Sequence, residues 1–214
     1  MVKVKICGVT RQEDLDIAVQ AGVDSIGFIV DVAASPRNLS FREAKNLIDR
    51  LPSNVDSVAV TVFNGIQRTA EICQELTPNF IQLHRVASEP CCRNGLASRA
   101  KIIVAVDAGA PDAIEQALSY SRFSQAVLVD THDQAGRGGT GLVHNWSLSR
   151  RIRDAIYPAP MILAGGLTPE NVGHAISTVR PYGVDVSTGV EVRPRVKDPE
   201  KMTEFIRKAR EAAS

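Results

Sequence analysis

Apolar positions along the chain fall into short runs rather than long stripes. Eight stand out: 2–8 (VKVKICG), 24–30 (DSIGFIV), 57–62 (SVAVTV), 79–84 (NFIQLH), 101–107 (KIIVAVD), 125–130 (QAVLVD), 161–166 (MILAGG) and 183–189 (GVDVSTG). Each is rich in Val and Ile and apolar nearly throughout, the pattern of a parallel strand covered on its outer face by helices. One residue near each C-terminal end marks the spacing: Cys7, Val30, Val62, His84, Asp107, Asp130, Gly165 and Ser187. Successive marks lie 22 to 35 residues apart, which suits a strand, a return helix and two loops. The segments between them carry helical signals. Residues 11–22 place Leu15, Ala18 and Val19 on one face and stop at Gly22, a C-cap. Ser40 with Glu43 three residues on forms a capping-box signature. Pro169 after Thr168 suits the first position of the helix after the seventh strand. The stretch 198–212 is charged and amphipathic and suits a closing helix.

Eight strand–helix units with no linker or composition break predict an α/β protein, a single (β/α)8 TIM barrel over residues 1–214. A doubly wound open sheet has the same alternation; eight even repeats favour closure. At 214 residues the core needs neither disulfide nor metal. Apolar residues are 44% and charged residues 23%, which excludes a disordered or low-complexity chain. Lys plus Arg number 25 against 24 Asp plus Glu, a net charge of +1, so neither nucleic acid nor an anionic membrane is an expected partner. No apolar run reaches the roughly 18–20 residues that span a bilayer, and no export signal opens the chain. Cys7, Cys73, Cys91 and Cys92 form no C-x-x-C pair or zinc spacing, which points to a reducing cytoplasm and no metal.

In such barrels the chemistry sits at the C-terminal strand ends. Cys7 there offers a thiolate base or nucleophile, provided that positive charge lowers its pKa from roughly 8.5. Asp107 and Asp130 hold equivalent positions after apolar runs, where a carboxylate is costly unless hydrogen-bonded or functional; spacing does not rank them. Gly136, Gly138 and Gly141 match G-x-G-x-x-G formally but lie beyond the sixth strand, which reads as a flexible loop over the mouth rather than a dinucleotide site. Gly165 and Gly166 after the seventh strand, with Ser187, Thr188 and Gly189 after the eighth, offer exposed backbone N–H groups, the makings of a phosphate site. Arg37, stiffened by Pro36, suits a carboxylate or phosphate. His84 ends strand four and is expected among the substrate-binding residues with its precise role open, and His132, His144 and His174 show no ligand pattern. Trp146 reads as a helix anchor.

In order, KICGVT (5–10), GF (27–28), SPR (35–37), IQLH (81–84), VLVD (127–130), GGTG (138–141), LAGGL (163–167) and GVDVSTGVE (183–191) resemble the phosphoribosylanthranilate isomerase family of tryptophan biosynthesis. The resemblance runs across almost the whole chain. It implies an Amadori rearrangement of a phosphosugar–anthranilate substrate in a cofactor-free barrel, monomeric or homodimeric. It implies Cys7 as general base, Asp130 as general acid, Arg37 facing the anthranilate, and the backbone at Gly165–Gly166 and Ser187–Gly189 around the phosphate. That chemistry calls for a lowered thiol pKa and a raised carboxyl pKa. An aspartate at the end of strand one would have indicated the dual-substrate isomerase of histidine and tryptophan pathways; Cys7 stands there instead. The chain departs from the pattern in three places. Arg85 follows the QLH histidine, which leaves the role of His84 open. Val143, His144, Asn145 and Trp146 follow GGTG in place of Phe-Asp-Trp, with Asn145 still able to cap a helix. The loop VDVAASPRN lacks the usual aromatic and lysine. The other readings are a non-catalytic phosphosugar-binding barrel and an isomerase of broader phosphosugar specificity.

Overall fold

Alternating β-branched residues build the wall. In the computed structural model, which describes residues 1–86, 100–130 and 145–212, all eight runs form parallel strands: β1 (Lys3–Cys7), β2 (Ser25–Ile29), β3 (Asp56–Val62), β4 (Phe80–His84), β5 (Lys101–Asp107), β6 (Ala126–Asp130), β7 (Met161–Leu163) and β8 (Gly183–Val186). They pair in sequence order and close, β8 against β1, into a barrel. Closure settles the choice between barrel and open sheet. Seven helices are described outside it: α1 (Gln12–Gln20), α2 (Phe41–Ile48), α3 (Ile66–Leu76), α4 (Ala113–Tyr120), α5 (Trp146–Ile156), α6 (Val172–Val179) and α7 (Pro199–Glu211).

The strand period of two divides the core. Val4 and Ile6 of β1 and Val127 and Val129 of β6 face the helices, in a cluster that includes Phe28, Leu15 and Phe205. Cys7, Val58, Val60, Ile103, Ala105, Leu128 and Ile162 fill the barrel interior. Burying each large apolar side chain stabilises the fold by about 1.5–3 kcal/mol. Three polar side chains, Lys5, Gln82 and Asp185, are buried among them.

Local signals fix the helix starts. Ser40 and Glu43 form the expected capping box on α2. Asn145 caps α5 by accepting from Ser147 N–H, and Trp146 packs there edge-on against His174. Asp198 caps α7 ahead of Pro199. The expected start at Pro169 is displaced: α6 begins at Val172. The Asn171 amide clamps the preceding turn, accepting from Thr168 N–H and donating to the Gly166 carbonyl.

One element has no counterpart in the sequence reading. After a 3₁₀ turn (Thr188–Val190), β9 (Glu191–Arg193) and β10 (Val196–Lys197) form a small antiparallel hairpin beside the barrel mouth. Arg195 pins it to the loop after β2 by donating to the carbonyls of Pro36 and Asn38. The glycine loop with Gly136, Gly138 and Gly141, together with Cys91, Cys92, His132 and His144, lies outside the described residues.

Candidate active site

The C-terminal strand ends surround a cavity of about 340 Å³, within the range of small-ligand sites. Eight of the nine residues expected at the site line it: Cys7, Arg37, His84, Asp130, Gly165, Gly166, Ser187 and Thr188. Gly189 is not among the lining residues and has a packing role. A β-carbon there would stand 1.9 Å from the Leu167 carbonyl oxygen, so only glycine lets the loops after β7 and β8 lie against each other. Gly165 and Gly166 turn through φ of +84° and +63°, which side-chain-bearing residues rarely adopt.

The structure separates the two aspartates. They are register neighbours, yet Asp130 lines the cavity. Asp107 does not, and its Oδ1 accepts from Gly109 N–H as a loop cap. His84 lies beside Gln82, whose amide nitrogen is 2.9 Å from His84 Nε2. Gln82 Oε1 is buried with no hydrogen-bond partner among the described residues, and both residues border the cavity. Sequence reasoning missed Gln82 because it reads as one polar residue in an apolar run.

Arg37 is held by two charge-assisted bonds. Its Nε and Nη2 donate to Glu191 Oε1 and Oε2 at 2.7 and 2.5 Å. That bidentate pairing fixes the guanidinium plane and raises its pKa further. Burial alone would raise the Glu191 pKa, but Arg37 and Lys197 outweigh it and hold the carboxyl below its ordinary value. Lys197 is 2% exposed. Its Nζ donates to the Cys7 carbonyl at 2.7 Å, the Ser187 carbonyl at 2.9 Å and Glu191 Oε1 at 3.0 Å. One ammonium thus ties the end of β1, the loop after β8 and the partner of Arg37. Burial pushes its pKa down against the pull of Glu191 and Cys7.

The thiol departs from expectation. Burial pushes the Cys7 pKa up, and Asp185 adds to that effect, while Lys5 and Lys197 act in the opposite direction without overcoming it. The role implied by the resemblance calls for a lowered pKa, and Lys5 and Lys197 are the groups that act in that direction. Among the described residues no group of three or more His, Cys, Asp or Glu side chains is placed to hold a metal ion, and no helix is long and apolar enough to cross a membrane.

Backbone loops at the ends of β7 and β8 share one cavity with a thiol and a carboxyl at the ends of β1 and β6, the arrangement of a barrel enzyme with its chemistry at the C-terminal strand ends. A family model described as N-(5'-phosphoribosyl)anthranilate (PRA) isomerase matches residues 4–208, and the chain belongs to that family. The N-(5'-phosphoribosyl)anthranilate isomerase of Methanothrix thermoacetophila is 43% identical over 98% of this chain and 99% of its own. A crystal structure of phosphoribosyl anthranilate isomerase with reduced 1-(o-carboxyphenylamino)-1-deoxyribulose 5-phosphate superposes with a TM-score of 0.85 at 35% identity, covering 99% of this chain and 100% of that one. Monomers generated from the dimeric enzyme of Thermotoga maritima give 0.86 at 35% identity, with the same coverage.

Proposed function

We propose that Cys7 and Asp130 divide the proton transfers in the isomerisation of N-(5'-phosphoribosyl)anthranilate, the reaction of this family in tryptophan biosynthesis. The observation that carries this reading is their placement at the ends of β1 and β6 on one cavity. Asp130, as the acid, protonates the furanose ring oxygen. The ring C–O bond breaks, the anthranilate nitrogen lone pair forms the C1=N bond, and a protonated Schiff base results. Cys7, as thiolate, takes the C2 proton. The C–H electrons form C1=C2 and neutralise the nitrogen, giving an enolamine. Loss of the C2 hydroxyl proton and protonation at C1 yield the ketone, 1-(2-carboxyphenylamino)-1-deoxyribulose 5-phosphate. The cycle leaves a proton on Cys7 and none on Asp130, and exchange with solvent restores both.

The backbone at Gly165, Gly166, Ser187 and Thr188 receives the phosphate, far enough from C1 and C2 to act by positioning. Arg37, oriented by Glu191, faces the anthranilate carboxylate with the N–H groups that Glu191 leaves. Residues 1–214 act as one catalytic unit in the cytoplasm, as a monomer or, like the Thermotoga maritima relative, a dimer.

The test uses anthranilate fluorescence. Phosphoribosylanthranilate is generated in situ and its decay followed with native protein, Cys7→Ala and Asp130→Ala. Rapid decay with native protein, and losses of at least about 10²-fold in each variant, are expected. A folded Cys7→Ala protein with native turnover would remove Cys7 from the mechanism. No decay with native protein would favour the non-catalytic binding barrel.

A further inference from the structure

We propose that Lys5 is the counter-ion of the Cys7 thiolate, an ammonium stored beneath the thiol and shared between Cys7 and Asp185. The inference rests on Cys7 as the base and names the residue that lets it become one. Lys5 and Cys7 are two residues apart on β1, so both point into the barrel. Closure sets Lys5 in register with Asp185 of β8, and Lys5 Nζ donates to Asp185 Oδ1 at 2.9 Å. The pair is buried, with side chains 3% and 9% exposed. The sulfur and the ammonium crowd the same side of Gly27 and leave no room for a methyl group: a β-carbon there would lie 2.8 Å from Cys7 Sγ and 3.1 Å from Lys5 Nζ, too close to both. The two side chains act on each other electrostatically, each favouring the charged form of the other.

Four charged groups act on the sulfur: Lys5 from β1, Asp185 from β8, Lys197 from β10 and Arg37 from the loop after β2. Lys197 is committed to two carbonyls and Glu191. Arg37 is committed to Glu191. Lys5 shares a strand face with the sulfur and has one carboxylate partner, Asp185, and an ammonium has three donors to divide. Burial works against its charge, but Asp185 and Cys7 outweigh that and raise its pKa, so the ammonium persists where a lone buried lysine would lose its proton. Asp185 and the thiolate share in keeping Lys5 charged, so the thiolate still holds the ammonium without Asp185, while Asp185 itself opposes the thiolate. Loss of either partner therefore moves the thiol in opposite directions.

The readout is Cys7 alkylation by iodoacetamide, resolved by peptide mass spectrometry on intact folded protein across pH. It reports the thiolate fraction whether or not the protein turns over. Lys5→Met slows alkylation at pH 7.5 by about tenfold, one pKa unit upward. Asp185→Asn frees Lys5 for the sulfur and speeds it by a similar factor. A merely structural pair would shift both variants the same way. Lys5→Met leaves Asp185 buried and unpaired, so the double variant Lys5→Met/Asp185→Asn, free of either charge, stands in if that protein does not fold; it is at least tenfold slower than Asp185→Asn. Lys5→Met within threefold of native, single variants shifting together, or a double variant matching Asp185→Asn would each overturn the proposal. The assignment of Cys7 as base is judged separately, by turnover of Cys7→Ala. Where both hold, the acid limb of kcat/KM moves up in Lys5→Met and down in Asp185→Asn.

Discussion

Replacing Lys197 by Met tests whether the hairpin after β8 holds the site together. Met matches the length of the lysine stem, so the loss is chiefly polar. Two backbone carbonyls, those of Cys7 and Ser187, lose their buried donor, and each orphaned acceptor costs about 1–3 kcal/mol. Glu191 loses one partner but keeps Arg37, so its charge is not stranded, and the full penalty of a broken buried pair, about 3–5 kcal/mol, does not apply. Removing the ammonium also relieves its desolvation, which pushes the Lys197 pKa down. The balance is a loss of about 2–4 kcal/mol. For a chain of this size that lowers Tm by on the order of 10 °C. Urea unfolding followed by circular dichroism measures it as a lower midpoint at unchanged slope. In turnover, KM rises more than kcat falls, because the tether orders the phosphate loop and Arg37 rather than the reacting carbons. An unfolding free energy within about 1 kcal/mol of native would refute the reasoning and leave the hairpin a passive appendage.

Three further perturbations probe neighbouring parts. Gly189→Ala drives a β-carbon against the Leu167 carbonyl and costs about 1–3 kcal/mol of overpacking; inhibition by inorganic phosphate weakens, and unchanged inhibition would separate that contact from the phosphate site. Glu191→Gln removes the bidentate carboxylate from Arg37 and raises KM on the order of tenfold, the equivalent of one charge-assisted bond; an unaltered KM in steady-state kinetics would show that Arg37 needs no such hold. Stability falls in acid through Asp24. Burial alone would raise its pKa, but hydrogen bonds from Val4 N–H, Lys3 and Arg210 outweigh it and hold the carboxyl below its ordinary value. A depressed folded-state pKa stabilises above the unfolded-state pKa and is lost as pH falls through the folded one. The urea midpoint therefore drops below about pH 4, and Asp24→Asn flattens that slope; a slope unchanged in Asp24→Asn would assign the acid lability to other groups.

What the sequence displayed and what it hid divide along a physical line. Periodicity reports local structure, so eight apolar runs at even spacing were enough for the barrel and its order, and Ser40 and Asn145 were enough for two helix starts. The β9–β10 hairpin escaped because strands of three and two residues are too short to show a period, and Arg195 and Lys197 look like an exposed basic segment until Lys197 is seen to be buried. Asp107 and Asp130 could not be ranked because each ends an apolar run; only three-dimensional placement shows one capping a loop and the other at the cavity.

The balance of forces on the thiol was out of reach of the sequence for a related reason. A strand-end cysteine suggests exposure to positive charge, whereas its pKa depends on how much burial and Asp185 offset Lys5. The site's polar floor was nonetheless within reach of strand parity. In VKVKICG, Lys5 shares the parity of Cys7 and must face the same interior; in GVDVSTG, Asp185 alternates with the outward Val184 and Val186. A barrel that closes strand eight on strand one brings that lysine and that aspartate together. A doubly wound open sheet does not set its last strand beside its first, so a lysine buried on strand one would lack that counterpart, at a cost of several kcal/mol per buried ion. Closure and the buried pair are therefore one inference: the charges on the inner faces of the first and last strands are an argument for the barrel that hydrophobic periodicity alone does not supply.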